Sequence, residues 1–290
     1  MSEVKVAWEI PALLGEGPVW VESENAVYWV DIFKNKAHRY TLADGGKTTW
    51  TFDFEVTSLS PRRDGGFIGT IKDGYAFINF EVLSASPIVL PEADRPGNRF
   101  NDGKVDKSGR YWAGTMDIEQ AGETGSLYRL DPDLSARQCD SDYIICNGPT
   151  FNLDNSIIYH TDSIKRTIYA LDMAPDGDLS NKRVFAEFTT DDEGVPDGMT
   201  TDSEDCIWVA HFGGARITRY SPAGEILQVV PIPALNITSC TFAGAELDTL
   251  YIVSASTAMS DEQLKQYPLA GSLFSYKPGV KGVPTPLFAG

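Results

Sequence analysis

The sequence predicts an all-β protein, a six-bladed β-propeller with four antiparallel strands per blade, on three observations. Short apolar or aromatic runs of four to seven residues alternate with Gly, Pro, Asp and Asn turns along the whole chain. Such runs read as strands, and amphipathic helix patterns are few. One loose pattern then recurs six times: a turn, a short strand, a D/G turn, a strand ending in an aromatic, a turn, and a strand with alternating apolar positions. Anchored at Trp29, Gly69, Trp112, Tyr159, Trp208 and Tyr251, the copies are 40, 43, 47, 49 and 43 residues apart. That is near the roughly 40–50 residue period of a propeller blade.

The second half of each copy is the clearest. In chain order these halves are Ala26–Thr41, Gly66–Phe80, Gly109–Leu130, Ser156–Leu171, Cys206–Tyr220 and Thr249–Tyr276, where L-Y-I-V-S-A is answered by G-S-L-F-S-Y. A lone meander of this size cannot bury both faces; stacking it against neighbours around an axis does so, and closing the ring removes free sheet edges. An α/β fold would need helices of about 10–15 residues between strands, and they are missing. A β-sandwich or two smaller barrels would also accept the strands, but a regular repeat that runs the full length favours one closed domain. Residues 1–290 therefore read as a single propeller domain without a linker. Ring closure pairs Val4–Ile10 with strands of the last repeat. The longest departure from the pattern is Asp117–Gly125, D-I-E-Q-A-G-E-T-G, whose glycines permit mobility; it is either a cover for one end of the propeller or a plain surface loop.

The 290 residues can bury a large core, and an apolar content of 42% is ordinary for a globular chain. A formal net charge of −17 argues against nucleic acid or anionic lipid as partners, which need a basic patch. It suits a cation, although many acidic residues in turns are simply solvated. The N-terminal stretch has no apolar core of a signal peptide, and no run approaches the 18 or so apolar residues of a membrane span. Cys139, Cys146, Cys206 and Cys240 have no C-x-x-C spacing, consistent with free thiols in a reducing, cytoplasmic compartment.

The residues that could carry chemistry sit in recurring short motifs. L-G-E-G-P-V-W at Leu14–Trp20 is matched by Asn101-Asp102-Gly103, Asn147-Gly148-Pro149 and Asp197-Gly198-Met199. From Gly17, Asn101, Asn147 and Asp197, an aromatic follows after 12, 11, 12 and 11 positions. One oxygen-bearing side chain thus stands at one place in four units, where the first strand of a blade reaches the mouth of the channel. Two carboxylates and amide carbonyls are hard ligands; they suit Ca²⁺, Mg²⁺ or Mn²⁺ and could hold Fe²⁺ or Zn²⁺. The competing reading is that they are Asx-type turn residues capping strands. Units two and six have Thr57-Ser58 and Ser239-Cys240 near the matching place. Strand alternation puts Arg99 on the same side as Asn101, so the pair could reach a polyhydroxylated ligand, or Arg99 could serve a salt bridge. Asp102 reads as orienting the turn. His38, His160 and His211 have no matched Ser or Cys, and no G-x-S-x-G elbow, Walker or Rossmann fingerprint occurs. The six tryptophans read as blade core.

The motifs L-G-E-G-P-x-W, R-x-N-D-G, W-A-G-T-M, N-G-P and P-D-G-M occur in the order found in the SMP30/gluconolactonase/LRE-like family, which includes regucalcin-type proteins, and the chain resembles that family over nearly its entire length. The resemblance implies a six-bladed propeller that hydrolyses a sugar-acid lactone such as gluconolactone, xylonolactone, galactonolactone or arabinolactone. It implies Glu16, Asn147 and Asp197 as ligands of one divalent cation, Ca²⁺ first and Zn²⁺, Mn²⁺, Mg²⁺ or Fe²⁺ as alternatives. Arg99 and Asn101 would bind substrate oxygens, and Glu119 falls where relatives place an acidic substrate contact. In that scheme the cation polarises the lactone and Asp197 is also the general base toward water. Two rival readings are a hydrolase of other esters or phosphotriesters and a calcium-binding regulatory propeller without catalysis. The expected partner is a small sugar lactone, with the protein a monomer or weak homo-oligomer.

Overall fold

The computed structural model of the chain describes residues 3–290. Among them, 24 strands form six four-stranded antiparallel sheets, and the fold is a six-bladed β-propeller. Blade 1 comprises Gly15–Val21, Ala26–Asp31, Lys36–Thr41 and Lys47–Thr51; blade 2 comprises Val56–Pro61, Phe67–Ile71, Gly74–Asn79 and Ser84–Val89. Blade 3 is Asn98–Val105, Tyr111–Asp117, Gly125–Leu130 and Ala136–Tyr143, and blade 4 is Cys146–Phe151, Ile157–Asp162, Thr167–Met173 and Leu179–Glu187. Blade 5 is Val195–Thr201, Ile207–Phe212, Arg216–Tyr220 and Ile226–Pro231. Blade 6 takes Asn236–Ala243, Thr249–Ala255 and Leu273–Tyr276, and its outer strand is the N-terminal Lys5–Trp8, paired antiparallel to Leu273–Tyr276. The expected closure by the N-terminus is thus present, and each predicted half-repeat is the second and third strand of a blade.

The chain packs as two compact units of three blades. One takes the chain up to Thr51 together with Phe188–Thr285, which holds blades 5, 6 and 1; the other takes Phe52–Glu187 with Pro286–Gly290, which holds blades 2, 3 and 4. Within each unit the first strands of successive blades lie against one another, and apolar side chains fill the space between neighbouring sheets. Trp208, Ile217, Phe242 and Phe274 do so between blades 5 and 6, and Trp112, Leu127, Phe151 and Ile158 between blades 3 and 4.

The aromatic of the second strand is fixed by polar as well as apolar contacts. In blade 3 the buried Asp106 accepts the Trp112 indole N–H at 2.9 Å, Arg110 Nε at 2.6 Å, and the Ser108 and Arg110 amides. In blade 5 Asp202 repeats the arrangement with Trp208 at 2.9 Å, Arg219 Nε at 2.7 Å, and the Glu204 and Cys206 amides. A buried carboxylate is tolerable when its lone pairs are filled in this way. Four tryptophans are buried as expected; Trp8 and Trp50, on outer strands, are only half-buried. They lie on sheet edges, where neighbours cover one face.

The C-terminal segment runs against blades 2 and 3. Phe288 donates its amide to Pro61 O and accepts from the Arg63 amide, and the Ala289 amide bonds Gly109 O. The Phe288 ring is fully buried in a cluster with Ile68, Tyr75, Phe100 and Tyr111. Phe288→Ala is expected to cost about 3–5 kcal/mol of stability, the range for emptying a buried aromatic site. Urea denaturation checks it, and a loss under about 1 kcal/mol would show that the segment does not hold the core.

Candidate functional site

Each first strand meets the second with one residue too many. The register steps from Glu16↔Val30 to Val19↔Tyr28, from Phe100↔Thr115 to Gly103↔Ala113, from Asn147↔Thr161 to Thr150↔Tyr159, and from Pro196↔His211 to Met199↔Val209. Blades 2 and 6 show the same step at Val56–Ser58 and Ile237–Ser239. These are β-bulges, which set two residues against one and re-aim side chains. The G-E-G-P, N-D-G, N-G-P and P-D-G motifs, expected as turns, are therefore bulges inside strands. The reason is in the backbone: Gly17 and Gly148 supply positive φ (53° and 56°), and the prolines that follow lack an N–H for the ladder.

The register also revises how the motifs align. Glu16 and Asn147 occupy the last paired position before the bulge, whereas Asn101 and Asp197 lie one step later, within it. The spacings hid this because the connection after the bulge is longer by one residue in blades 3 and 5: Gly103 pairs Ala113 and Met199 pairs Val209, against Val19 with Tyr28 and Thr150 with Tyr159. The structural equivalents on the second strands are Tyr28, Ala113, Tyr159 and Val209.

Buried carboxylates tie down the chain just ahead of two of these strands. Asp31 accepts the Leu13 and Leu14 amides at 3.0 and 3.1 Å, and Asp162 accepts those of Ile144 and Ile145 at 3.0 and 3.4 Å. Sequence reading missed both; the signal was an acidic residue closing the second strand of blades 1 and 4.

In the unit of blades 5, 6 and 1, the Thr238–Ser239 pair of blade 6 touches both flanking motifs. Thr238 Oγ1 donates to Gly15 O, beside Glu16. On the other side, a Cβ on Gly198 would lie 2.2 Å from Ser239 Oγ and 2.8 Å from Thr238 O, so only glycine fits beside Asp197. Glu16 Oε2 accepts the Gly17 amide at 3.1 Å.

In the unit of blades 2, 3 and 4, Arg99 Nη1 donates to Asn101 Oδ1 and to Phe100 O, both at 2.9 Å. The two side chains are thus within hydrogen-bond reach of each other. Asn147 Oδ1 accepts the Gly148 amide at 3.0 Å, and that amide also serves the Asp102 carboxylate, which takes the Gly103 amide at 2.7 Å. Asp102 is therefore a neighbour of Asn147, a larger part than orienting a turn. Burial pushes its carboxyl pKa up, against the opposing pull of Lys104 and the two amides. Glu16, Asn147 and Asp197 are each 4% exposed, Asn101 5%, Asp102 6% and Arg99 7%, so charged and amide groups are held away from bulk water.

Glu119 stands apart from these. It is exposed, on the loop after the second strand of blade 3, with its amide donating to Asp117 Oδ1. The loop is held closely: Asp117 also collects the Ala121 and Gly122 amides, while the buried Asn98 bonds Glu92, Thr124 O and Thr124 Oγ1. Gly125, expected to loosen the loop, begins a strand instead.

The histidines are structural, and none is at the surface. His38 bonds Thr49 Oγ1, His160 meets the Tyr143 hydroxyl, and His211 donates from Nδ1 to Glu193 O while stacking on Phe188. Burial lowers the pKa of each to about 4.

Taken together, fold and site define a propeller that presents buried oxygen-bearing side chains on bulged first strands. The chain belongs to the SMP-30/gluconolactonase/LRE-like family, whose model matches residues 14–256. It is 34% identical over 280 residues to 6-deoxy-6-sulfogluconolactonase of Pseudomonas putida, covering 97% of this chain and 96% of that protein. Regucalcin of Homo sapiens is 35% identical over 300 residues, covering the whole of both chains. Among solved structures, a calcium-binding protein, regucalcin, from Agrobacterium tumefaciens matches with a TM-score of 0.93 at 27% identity, over 99% of this chain and 97% of that one.

Gly198→Ala is expected to destabilise the fold by about 1–3 kcal/mol through overpacking, with part of the loss recovered by adding Ser239→Gly. Urea melts of the wild type and of the single and double variants check it, and an unperturbed single variant would contradict the close approach. The histidines give a pH dependence. Their folded pKa lies below the ordinary 6.5, so the stability is present above pH 6.5 and is lost as pH falls toward 4, where the unfolded chain takes protons that the fold refuses. Asp102, with its raised pKa, acts in the opposite sense. Melting temperature should drop between pH 6.5 and 5, and each His→Gln variant should shallow that slope by up to about one proton.

Proposed function

We propose that the chain is a metal-dependent lactonase that opens a sugar-acid lactone to its aldonic acid. The observation that carries this reading is the burial of two carboxylates, Glu16 and Asp197, at equivalent bulges of a fold whose relatives include a sulfogluconolactonase. Burying carboxylates is costly, and a cation held among them would offset part of that cost. Glu16, Asn147 and Asp197 would hold it. Among the described residues no three His, Cys, Asp or Glu side chains form a metal-binding group, so the set needs the Asn147 amide oxygen as its third protein ligand. An all-oxygen set suits Ca²⁺ first, with Mg²⁺ and Mn²⁺ as alternatives and Zn²⁺ or Fe²⁺ less matched, and the calcium-binding relative supports the same order.

When bound, the cation would supply Lewis-acid polarisation of the lactone. The remaining work falls to the chain. Asp197 accepts a proton from the attacking water as general base, a contribution of about 10²–10⁴-fold. Arg99 and Asn101, already aligned by their mutual hydrogen bond, bind substrate oxygens and fix the ring. Glu119 accepts a hydrogen bond from a sugar hydroxyl at the rim. Gluconolactone, xylonolactone, galactonolactone and arabinolactone are the substrates to try, the first supported by the gluconolactone skeleton in the name of the Pseudomonas putida relative.

Acid release from that panel, measured after chelation and after return of single metals, tests the reading. Activity should vanish on chelation and return with Ca²⁺. Asn147→Ala and Asp197→Ala should each lower kcat/KM by at least about a hundredfold. Near-normal turnover in either removes that residue from the mechanism. Calcium binding without turnover of any lactone would favour a regulatory propeller.

A further inference from the structure

Among the described residues, every blade ends in an outer strand with one side unpaired. Such edges recruit other strands, and natural sheets blunt them with charge, proline, bulges or shortness. Five of the six outer strands carry a charge or an internal proline. Lys5–Trp8 is four residues long and opens on Lys5, and Lys47–Thr51 opens on Lys47. Ser84–Val89 contains Pro87, Ala136–Tyr143 contains Arg137, Asp140 and Asp142, and Leu179–Glu187 contains Lys182 and Arg183. The outer strand of blade 5, Ile226–Pro231, reads I-L-Q-V-V-P, with no charge and its proline at the end. Ile226, Leu227 and Val229 are 57%, 48% and 44% exposed. The strand has one irregularity, an unpaired Leu227 between Ile226↔Tyr220 and Gln228↔Arg219. That bulge leaves Ile226 and Leu227 side by side and both exposed, which enlarges the apolar face.

We propose that Ile226–Pro231 is a self-association surface through which two copies of this chain pair, antiparallel, about a two-fold axis. A two-fold sets the centre of a strand opposite itself. Leu179–Glu187 paired in this way would set Arg183 opposite its own copy with Lys182 beside it, and Ala136–Tyr143 would bring the two Asp140 side chains into neighbouring positions. The centre of Ile226–Pro231 is Gln228 and Val229, and nothing there repels its twin. The net charge of −17 drives copies apart over most of the surface, so the uncharged strand is where contact costs least. Gln228 is already occupied, donating to the Tyr276 hydroxyl at 2.7 Å, which leaves the aliphatic side chains to make the contact. Strand addition then joins two four-stranded sheets and removes three exposed aliphatic side chains per copy from water.

Sedimentation velocity on the full chain, from low to high micromolar concentration, tests the proposal with Val229→Lys and Leu227→Lys. Both positions are solvent-exposed, so each variant should keep the wild-type circular dichroism and melting temperature. Wild-type protein is expected to shift from monomer to dimer with concentration. Each lysine variant is expected to weaken the dimer at least about tenfold by opposing like charges. Val184→Lys, on the outer strand of blade 4 and 54% exposed, should leave it unchanged. A wild-type chain that stays monomeric throughout overturns the proposal, as does a dimer that both blade 5 variants leave intact.

Discussion

The constraint on which the site rests is one surplus residue in each first strand. A regular strand alternates its faces, so it could not seat a run of polar side chains beside a blade core without turning some of them into it. The bulge breaks the alternation at one place in each blade and leaves the ladder intact on either side. Six bulges carry oxygen-bearing side chains: Glu16, Thr57, Asn101, Asn147, Asp197 and Thr238. The surplus residue is common to all six, although only blades 1 and 4 take it with a positive-φ glycine, Gly17 and Gly148, and the side chain further distinguishes one blade from the next. Charge is restricted to some bulges, and hydroxyls fill blades 2 and 6. In those blades the hydroxyls serve the frame, as with Ser58 bonded to Tyr111 and Thr238 bonded to Gly15.

A bulge is useful to chemistry only when its position is fixed, and the chain spends several buried carboxylates on that. Asp31 and Asp162 hold the segments entering the first strands of blades 1 and 4, and Asp106 and Asp202 hold the turns leaving those of blades 3 and 5. Each is saturated by backbone amides or paired with an arginine or indole, so its burial is offset locally. Asp102, in the bulge of blade 3, differs. Asp102 keeps a raised pKa despite two amides and a lysine. There burial outweighs those partners and favours the neutral form of the acid.

The repeat was legible because each second strand announces itself. An aromatic, an acidic turn before it and a spacing near that of a blade are all local features, and Trp112 and Trp208 sit where that pattern puts them. The bulges were not legible as bulges. G-E-G-P and N-G-P hold the same residues as a tight turn, and only pairing with a second strand distinguishes the two. The one-residue offset between Glu16 and Asp197 was hidden because the connection after the bulge is longer by one residue in blade 5 than in blade 1, so counts to the second strand come out alike. Phe288 was beyond reach altogether. The segment V-P-T-P-L-F-A-G has no periodicity, and its burial depends on Ile68 and Tyr75, more than two hundred residues earlier in the chain.

Glu119 and the bulge residues differ in what holds them, and this bears on how specificity could change. Glu119 lies beyond the end of its strand at Asp117, on a loop whose shape comes from Asp117 and from the network of Glu92, Asn98 and Thr124. None of those bonds involves Glu16, Asn147 or Asp197. Substitutions in the loop can therefore alter the surroundings of Glu119 while the bulged strands keep their register. The reverse does not hold for Arg99 and Asn101, which share a strand with Asn98 and would shift the loop along with themselves. The loop that carries Glu119 is thus separable from the buried oxygen set, whereas Arg99 and Asn101 are built into it.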